Sequence, residues 1–425
     1  SGKITMEQID ARVWEVLKLK NRLGLFENPF HFADPEKAKT VIRNEEMMNT
    51  ALDVVNKTSV LLKNDGKILP LSENLKIAFI GPYLSEPDIH GAWTPCPHCD
   101  ETETMELALK NRFKNADFTY YEGCAMVGEE QPEIPYQLLT DFEADPKARR
   151  EKIENAVKIA EKADVVVMLI GEHPRFGGEK AARVNIDIPI IQQELFRAVS
   201  AVNDNIVTVL FNHRPLDLRE ISAKSKAILD VWFPGTKGAE GIVNMLFGDT
   251  APEGRLSMCF PRSVGQCPVF YNMLPTDHPV TLPSRFVTGY IDSLIEPLYS
   301  FGEGMTYTEF EYGEIVLDKS ELHEGETLTA SIKVKNVGDR DGYETVQLYI
   351  RDLYASVSRP VKELKRFKKV EVKAGETVNV EFTLTCDDFR FHNIQMEYVW
   401  EPGEIRIFIG KNSPCTEYKT VMLAE

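Results

Sequence analysis

Residues 164–189 read DVVVMLIGEHPRFGGEKAARVNIDIP. The strand-like run Asp164 to Ile170 is, after its aspartate, short, continuous and apolar, as a strand buried on both faces of a parallel sheet should be. The remainder is polar and broken by glycine, and it ends at Ile188-Pro189 before a new helical pattern begins. In an open α/β sheet, ligands bind in the crevice beyond the carboxyl ends of the strands. A reactive group in this loop would therefore be well placed. Two carboxylates qualify, Glu172 and Glu179, with Arg175 and Arg183 close by.

On either side the same alternation repeats. Strand patterns at 77–80, 117–121, 165–170, 206–211 and 227–233 interleave with helix patterns at 105–113, 148–163, 191–202 and 239–247. Repeated β-then-α units with buried strands predict a doubly wound, mostly parallel α/β sandwich. No GxGxxG follows the first strand, where Gly81-Pro82 turns the chain, so a dinucleotide site has no support. Residues 256–310 are irregular but rich in Pro, Tyr and Phe, and read as a segment wrapped on the surface.

From Glu309 the pattern becomes all-β. Leu328, Ala330, Ile332 and Val334 alternate with polar residues. So do Val346, Leu348 and Ile350, then Val378, Val380, Phe382 and Leu384, and finally Ile405, Ile407 and Ile409. Turn signals at Gly325, Gly338, Gly375 and Pro402-Gly403 separate them. This predicts a small two-sheet sandwich, and the lack of a Cys–Trp–Cys core favours the fibronectin type III-like form.

The N-terminal 26 residues carry one amphipathic helix. Thr5 is its N-cap, Gln8 completes a capping box, and Ile9, Val13, Val16, Leu17 and Leu23 share a face. Nothing adjacent covers that face, so the helix reads as the last of a preceding domain. A helix at 44–56 and a strand at 59–63 follow. The expected organisation is this helix over 1–27, a linker over 28–45, the α/β sandwich over 46–305 and the fibronectin-like domain over 306–425.

The 425 residues are enough for two or three domains, and 43% are hydrophobic, which suits packed cores. Sixty-six acidic residues against 49 basic give a net charge of −17, which excludes a phosphate-backbone binder with a basic face. The densest basic run, Lys362 to Lys373, alternates with apolar residues and reads as the solvated face of a strand. No apolar run approaches the roughly 20 residues of a membrane span. Seven scattered cysteines do not form a disulfide framework, and they point to a reducing, cytoplasmic compartment.

Several further stretches occur in a fixed order. They include Lys20-Asn-Arg-Leu-Gly-Leu-Phe26, Ser59-Val-Leu-Leu-Lys-Asn64 with Leu69-Pro-Leu71, and Phe233-Pro-Gly-Thr-Lys-Gly238. Then come Phe247-Gly-Asp249, Gly254-Arg-Leu256, Phe260-Pro-Arg-Ser263, Pro268-Val-Phe-Tyr-Asn272 and Leu298-Tyr-Ser-Phe-Gly302. Ser358-Arg-Pro360 and Leu364-Lys-Arg-Phe367 complete the series. Together they make nearly the whole chain resemble the C-terminal half of glycoside hydrolase family 3, the β-glucosidase and β-xylosidase family.

The resemblance implies a retaining glycosidase. An aspartate nucleophile would come from an N-terminal barrel domain preceding this chain. A glutamate acid/base would come from the loop after a central strand. Gly178-Glu179-Lys-Ala-Ala-Arg183 is similar to that loop, which assigns the acid/base role to Glu179 and makes Arg183 its substrate-side neighbour. The family usually has aspartate where Asn185 stands, and many relatives have Asn-Gly-Arg-Pro where this chain has Asn212-His213-Arg214-Pro215. On this reading the chain is a fragment or truncated form, inactive alone. Its expected partners are β-linked glucosides or oligosaccharides, the barrel domain and, through the uncovered barrel-facing surface, a second copy of itself. The alternative is a non-catalytic carbohydrate-binding or scaffolding fragment that pairs with a separate barrel chain.

The remaining candidates are weighed on the residues. Glu172 is the rival carboxylate, with the plainer reading of a loop ion pair to Arg175 or Arg214. Trp93, after the first strand, either stacks on a sugar or packs in the core. Cys96-Pro-His-Cys99, with His90 nearby, is a single CxxC without a second pair at ligand spacing, so no metal and no cofactor is expected. Asp387, Asp388 and Glu397 fit no calcium-loop spacing and read as turn and surface residues.

Overall fold

The run that opens the sequence reading is strand Val165–Gly171, with every residue buried. The structure is a computed structural model that describes residues 2–30, 33–94, 99–128, 142–143, 145–276 and 288–425. The chain divides into two compact units, Ser1–Ala51 and Leu52–Glu425.

In the first unit, α1 spans Met6–Arg22. The Thr5 side chain accepts the Gln8 amide while the Gln8 side chain caps the Thr5 amide, so the capping box forms as read. No residue of α1 is buried. Ile9, Val13 and Val16 are 44%, 49% and 54% exposed, so the apolar face is uncovered. The stretch read as a linker contains a short helix, α2, Pro35–Val41. Asp34 caps it through the Lys37 amide and Pro35 fits its first turn, a local signal that overrode the linker-like composition.

Helix α3, Glu45–Thr58, begins in the first unit and ends in the second, where its Val55 is buried. Six strands build the central sheet of the second unit: β1 Val60–Asn64, β2 Ile77–Ile80, β3 Phe118–Tyr121, β4 Val165–Gly171, β5 Ile206–Phe211 and β6 Ala227–Asp230. Their order is β1-β6-β5-β4-β2-β3. All neighbours are parallel except β1, which runs antiparallel on the edge. Successive residues divide between two cores, as a doubly covered sheet requires. Phe79, Val167, Leu169, Val209 and Leu229 face one side with α4 Met105–Arg112 and α8 Gly238–Phe247. Ile80, Val166, Met168, Ile170 and Leu210 face the other with α5 Pro146–Ala160, α6 Ile190–Ser200 and α7 Arg219–Lys224. Each such buried side chain contributes about 1.5–3 kcal/mol.

Two details differ from the sequence reading. The last strand stops at Asp230 instead of 233. Asp230 is buried, its acid is held well above the usual carboxylate range by that burial, and its Oδ1 accepts the Trp232 amide at 3.2 Å. That contact turns the chain, with Trp232 at φ +53°. The six residues of α7 give too few turns to show a period.

Residues 310–425 form the sandwich. One sheet pairs β7 Thr327–Asn336 with β10 Thr377–Thr385. Leu328 lies opposite Leu384, Ala330 opposite Phe382, Ile332 opposite Val380 and Val334 opposite Val378. The facing sheet holds β8 Gly342–Asp352, β9 Glu363–Val372, β11 Gly403–Gly410 and β12 Tyr418–Leu423. The basic run is β9, as read. The last strand, β12, extends the sheet beyond 409. Only Val421 and Leu423 point inward, too few for a visible alternation.

The described residues of the segment that links them, 256–276 and 288–310, wrap both cores. Leu256 and Phe260 are buried in the α/β core. Tyr271 stacks on Phe301 at 4.1 Å and meets Tyr349 of the sandwich edge-on. Gln347 donates to the Gly302 carbonyl at 3.0 Å. Arg255 and Glu344 form a buried ion pair at 2.8 Å, and the Tyr312 hydroxyl donates to the same carboxylate at 2.6 Å.

Candidate active-site loop

The site is built where β4 ends. Gly171 must be glycine because a Cβ there would lie 1.9 Å from the Phe211 carbonyl oxygen on β5. Gln192 of α6 satisfies the strand end, accepting the Gly171 amide at 2.9 Å and donating to its carbonyl at 3.0 Å. The next residue, Glu172, is fully buried. Its amide donates to the Phe211 carbonyl at 2.8 Å, and its own carbonyl accepts from the Tyr83 hydroxyl.

The Glu172 carboxylate is the electrostatic centre of the loop. Oε1 lies 2.7 Å from Arg183 Nη1 and 3.2 Å from Arg214 Nε, while Oε2 accepts the His213 amide at 2.8 Å. The Arg214 contact is a charge contact, since Nε is not aligned for a hydrogen bond. Of the two pairings considered from the sequence, Arg214 is realised and Arg175 is not. Arg175 is half exposed and lies 3.9 Å from Asp88 instead. A buried carboxylate needs such partners, because an unpaired one would cost several kcal/mol.

Arg214 also ties the loop on both sides of Glu179. Its Nη1 donates to the Ala181 carbonyl at 3.1 Å and its Nη2 to the Phe176 carbonyl. Arg183 donates a second bond to the Asp187 carbonyl at 2.9 Å and lies over the Phe176 ring at 5.0 Å. Between these fixed points the chain makes a tight turn. The Ala181 amide approaches the Gly178 carbonyl at 3.4 Å, with Gly178 at φ +91° and Lys180 at φ +59°. Glu179 is at the apex of this turn and is exposed.

Two histidines line the base of the loop, and burial pushes both away from the charged form. His173 is lowered to about 4 by burial and then by Arg175. Its Nδ1 accepts the Arg175 amide at 3.0 Å, which requires the neutral ring. His213 is also lowered by burial. Its ring stacks on Phe233 at 3.9 Å and contacts the Pro174 carbonyl at 3.1 Å. The residue that replaces a common glycine thus fills a packed space beside Gly177, where a Cβ would fall 2.4 Å from the imidazole. Asn185 accepts the Asp187 amide at 2.8 Å, a turn bond that aspartate would also make.

Trp93 is 75% exposed, so the packed-core reading does not hold. Its neighbour Ala92 abuts the loop, since a Cβ on Gly178 would lie 3.1 Å from Ala92 Cβ and 3.9 Å from Trp93 Cε2. The structure therefore brings Trp93 to the residue preceding Glu179. Arg183 is turned inward, with both donor ends engaged at Glu172 and Asp187. The sequence reading placed Arg183 beside Glu179 but did not join it to Glu172. The signal available was position, since Glu172 is the first residue past a fully buried strand.

Cys96 and His98 lie outside the described residues. Asp388 caps the turn at Thr385 and pairs with Arg366, Asp387 pairs with Arg390, and Glu397 bonds Asn393. Asp387 and Glu397 are exposed, as surface residues should be, whereas Asp388 is a turn residue that is buried, its carboxylate compensated by Arg366. Among the described residues no helix is long and apolar enough to cross a membrane.

Comparison with known proteins agrees with this architecture. Residues 59–307 match the glycosyl hydrolase family 3 C-terminal domain, and residues 344–413 match a fibronectin type III-like domain. The chain is 36% identical to a periplasmic beta-glucosidase of Salmonella typhimurium over 97% of its own length and 55% of the relative's. It is 32% identical to a beta-xylosidase of Formosa agariphila over 98% and 55%. A solved beta-glucosidase of Listeria innocua in complex with glucose superimposes with a TM-score of 0.87 at 35% identity, over 100% of this chain and 56% of that one. The chain thus spans about half the length of the relatives it matches. Over the α/β sheet that carries Glu172 and Glu179, and through the sandwich that follows, it belongs to glycoside hydrolase family 3.

Proposed function

We propose that this chain is the acid/base-bearing part of a retaining β-glycosidase, a β-glucosidase first and a β-xylosidase second. In this reading the Glu179 carboxyl protonates the glycosidic oxygen while a carboxylate of the barrel domain attacks the anomeric carbon. The resulting Glu179 carboxylate then takes a proton from the water that releases the sugar. The two carboxyl groups must flank the bond about 5 Å apart. Arg183, expected to bind substrate, acts instead from within the loop by holding it to Glu172 and Asp187, and Trp93 offers a ring for the aglycone. The substrate is a β-linked glucoside or oligosaccharide, and the barrel's natural counterpart on this chain is the uncovered apolar face of α1.

The observation that carries the reading is the placement of Glu179. It is an exposed carboxylate at the apex of a turn, on a loop anchored by buried ion pairs at the carboxyl end of a central strand. An acid that must reach a bond held by another domain needs such a mount.

The test is hydrolysis of aryl β-glucoside and aryl β-xyloside by this chain alone, by this chain mixed with the barrel domain, and by the two joined. Each sample is paired with Glu179→Gln. Only barrel-containing samples should turn over, and the variant should lose about 10²–10⁴ in rate. Turnover by this chain alone, or full activity of the variant, would reject the assignment. Sugar binding with no turnover in any sample would favour the carbohydrate-binding or scaffolding alternative.

A further inference from the structure

We propose that Asp88, His90 and Cys99 form a binding site for one divalent transition-metal ion, with zinc the best chemical match. An Asp88 oxygen, a His90 ring nitrogen and Cys99 Sγ all lie within 4.8 Å of one another. Zinc bound at about 2.0 Å to N and O and about 2.3 Å to S holds its tetrahedral ligands roughly 3.3–3.5 Å apart. Asp88 Oδ1 and His90 Nδ1 are already separated by 3.6 Å. Cys99 Sγ, the third corner of this triangle and within 4.8 Å of the other two, is the ligand that would move to close on an ion.

An independent observation points at the centre of this triangle. The His90 side chain is only 8% exposed, yet its Nδ1 has no hydrogen-bond partner. At 3.6 Å the Asp88 carboxylate is beyond hydrogen-bond reach. Leaving a buried ring nitrogen unsatisfied costs about 1–3 kcal/mol, so such atoms call for an explanation. The other nitrogen, Nε2, is 3.0 Å from the Thr102 hydroxyl, and Thr102 is itself buried. When Nε2 donates there, Nδ1 presents its lone pair on the Asp88 side of the ring. Metal-binding imidazoles are oriented through their second nitrogen in this way.

The backbone holds the ligands independently of any ion. Buried Ile89, between Asp88 and His90, accepts the Gly235 amide at 2.8 Å. The Asp88 amide donates to the Glu86 side chain at 2.7 Å, and Cys99 opens a 3-10 turn whose carbonyl accepts the Thr102 amide at 3.3 Å. Arg175 competes for the carboxylate, but it approaches Oδ2 at 3.9 Å from an exposed position and leaves Oδ1 to an ion. One oxygen, one nitrogen and one sulfur form a borderline-soft set that excludes calcium and magnesium, which take oxygen ligands. A carboxylate and a thiolate neutralise a divalent charge, and the fourth position is left to solvent.

The site has a structural consequence. Asp88 and His90 lie before Trp93 and Cys99 lies after it, so an ion would tie together both ends of the segment that reaches Gly178. This inference stands without the glycosidase reading, because it concerns binding alone.

The test uses the full chain stripped with a chelator and titrated with Co²⁺. One equivalent should bind, with a thiolate-to-cobalt charge-transfer band that one equivalent of Zn²⁺ abolishes. Cys99→Ser should lose that band, and His90→Gln and Asp88→Asn should each weaken binding at least about tenfold. In the unsubstituted chain, Zn²⁺ should protect Cys99 from alkylation while exposed Cys267 stays reactive. This readout does not depend on any variant folding. No stoichiometric binding, a band that survives Cys99→Ser, an affinity unchanged in His90→Gln, or no protection of Cys99 would overturn the site.

Discussion

Glu172 Oε1 lies 2.7 Å from Arg183 Nη1, and the glutamate is fully buried while the arginine keeps 13% of its side-chain exposure. The pair joins the first residue of the loop after β4 to the residue four positions beyond Glu179. Glu172→Ala leaves Arg183 and Arg214 without their counter-charge. It should destabilise the chain by about 3–5 kcal/mol. Glu172→Gln still accepts the His213 amide and should cost about 1–3 kcal/mol. Urea unfolding of the three proteins checks the order, and equal midpoints would show that the pair is not structural.

Arg214 holds the carbonyls of Phe176 and Ala181 with two arms of one guanidinium. Lysine has the charge but presents its donors from a single nitrogen on a flexible stem, so it cannot reproduce the rigid fork that reaches both carbonyls and Glu172 together. Arg214→Lys should retain most stability yet free the turn at Glu179. In the barrel-joined form kcat should fall about tenfold or more, as misplacement of a reacting group by even 1 Å costs up to about 10². Hydrogen exchange at residues 176–181 should quicken in parallel. Unchanged exchange with lowered kcat would mean that Arg214 acts on the substrate directly.

Gly177 and His213 are coupled by contact. A Cβ on Gly177 would fall 2.4 Å from the His213 ring, and Gly177 has no positive φ to add backbone strain. Gly177→Ala should therefore cost about 1–3 kcal/mol by overpacking. Removal of the ring in His213→Gly should make the same Gly177→Ala change nearly neutral. A double-mutant cycle measured by chemical denaturation isolates that interaction. Additive effects would place the strain elsewhere.

The sheet, the sandwich and the loop that bears Glu179 were legible because each rests on a short-range rule. Buried strands appear as apolar runs, and sandwich strands as alternation. The long-range content was not legible. Nothing in the spacing of Glu172, Arg183, His213 and Arg214 states that one carboxylate collects all three partners, because those contacts arise only when β4 and β5 pair in register. The exposure of Trp93 was open for the same reason. An aromatic after a strand is equally at home in a core or a crevice until the neighbouring loop is placed. Of the cluster of Asp88, His90 and Cys99, the sequence shows Cys99 and His90 near each other but not Asp88 as their companion, because its spacing to Cys99 follows no ligand motif and the three meet only once the chain on either side of Trp93 is folded.

His173 gives the loop a pH dependence whose sign can be worked out. Burial lowers its pKa from the ordinary 6.5 to about 4 in the folded chain. Between those values the unfolded chain binds a proton that the folded chain does not, so stability rises with pH across this window. The stability present above pH 6.5 is lost progressively as pH falls to about 4, and below that both states are protonated and the slope vanishes. The shift corresponds to about 3 kcal/mol at most. His213, lowered for the same reason, adds to the slope without changing its sign. His173→Asn puts its Oδ1 where Nδ1 accepts the Arg175 amide and cannot titrate. Unfolding free energies measured from pH 7.5 to 4 should therefore fall less steeply in this variant than in the parent chain. Parallel curves would show that His173 is protonated in the folded state and that its burial is incomplete in solution.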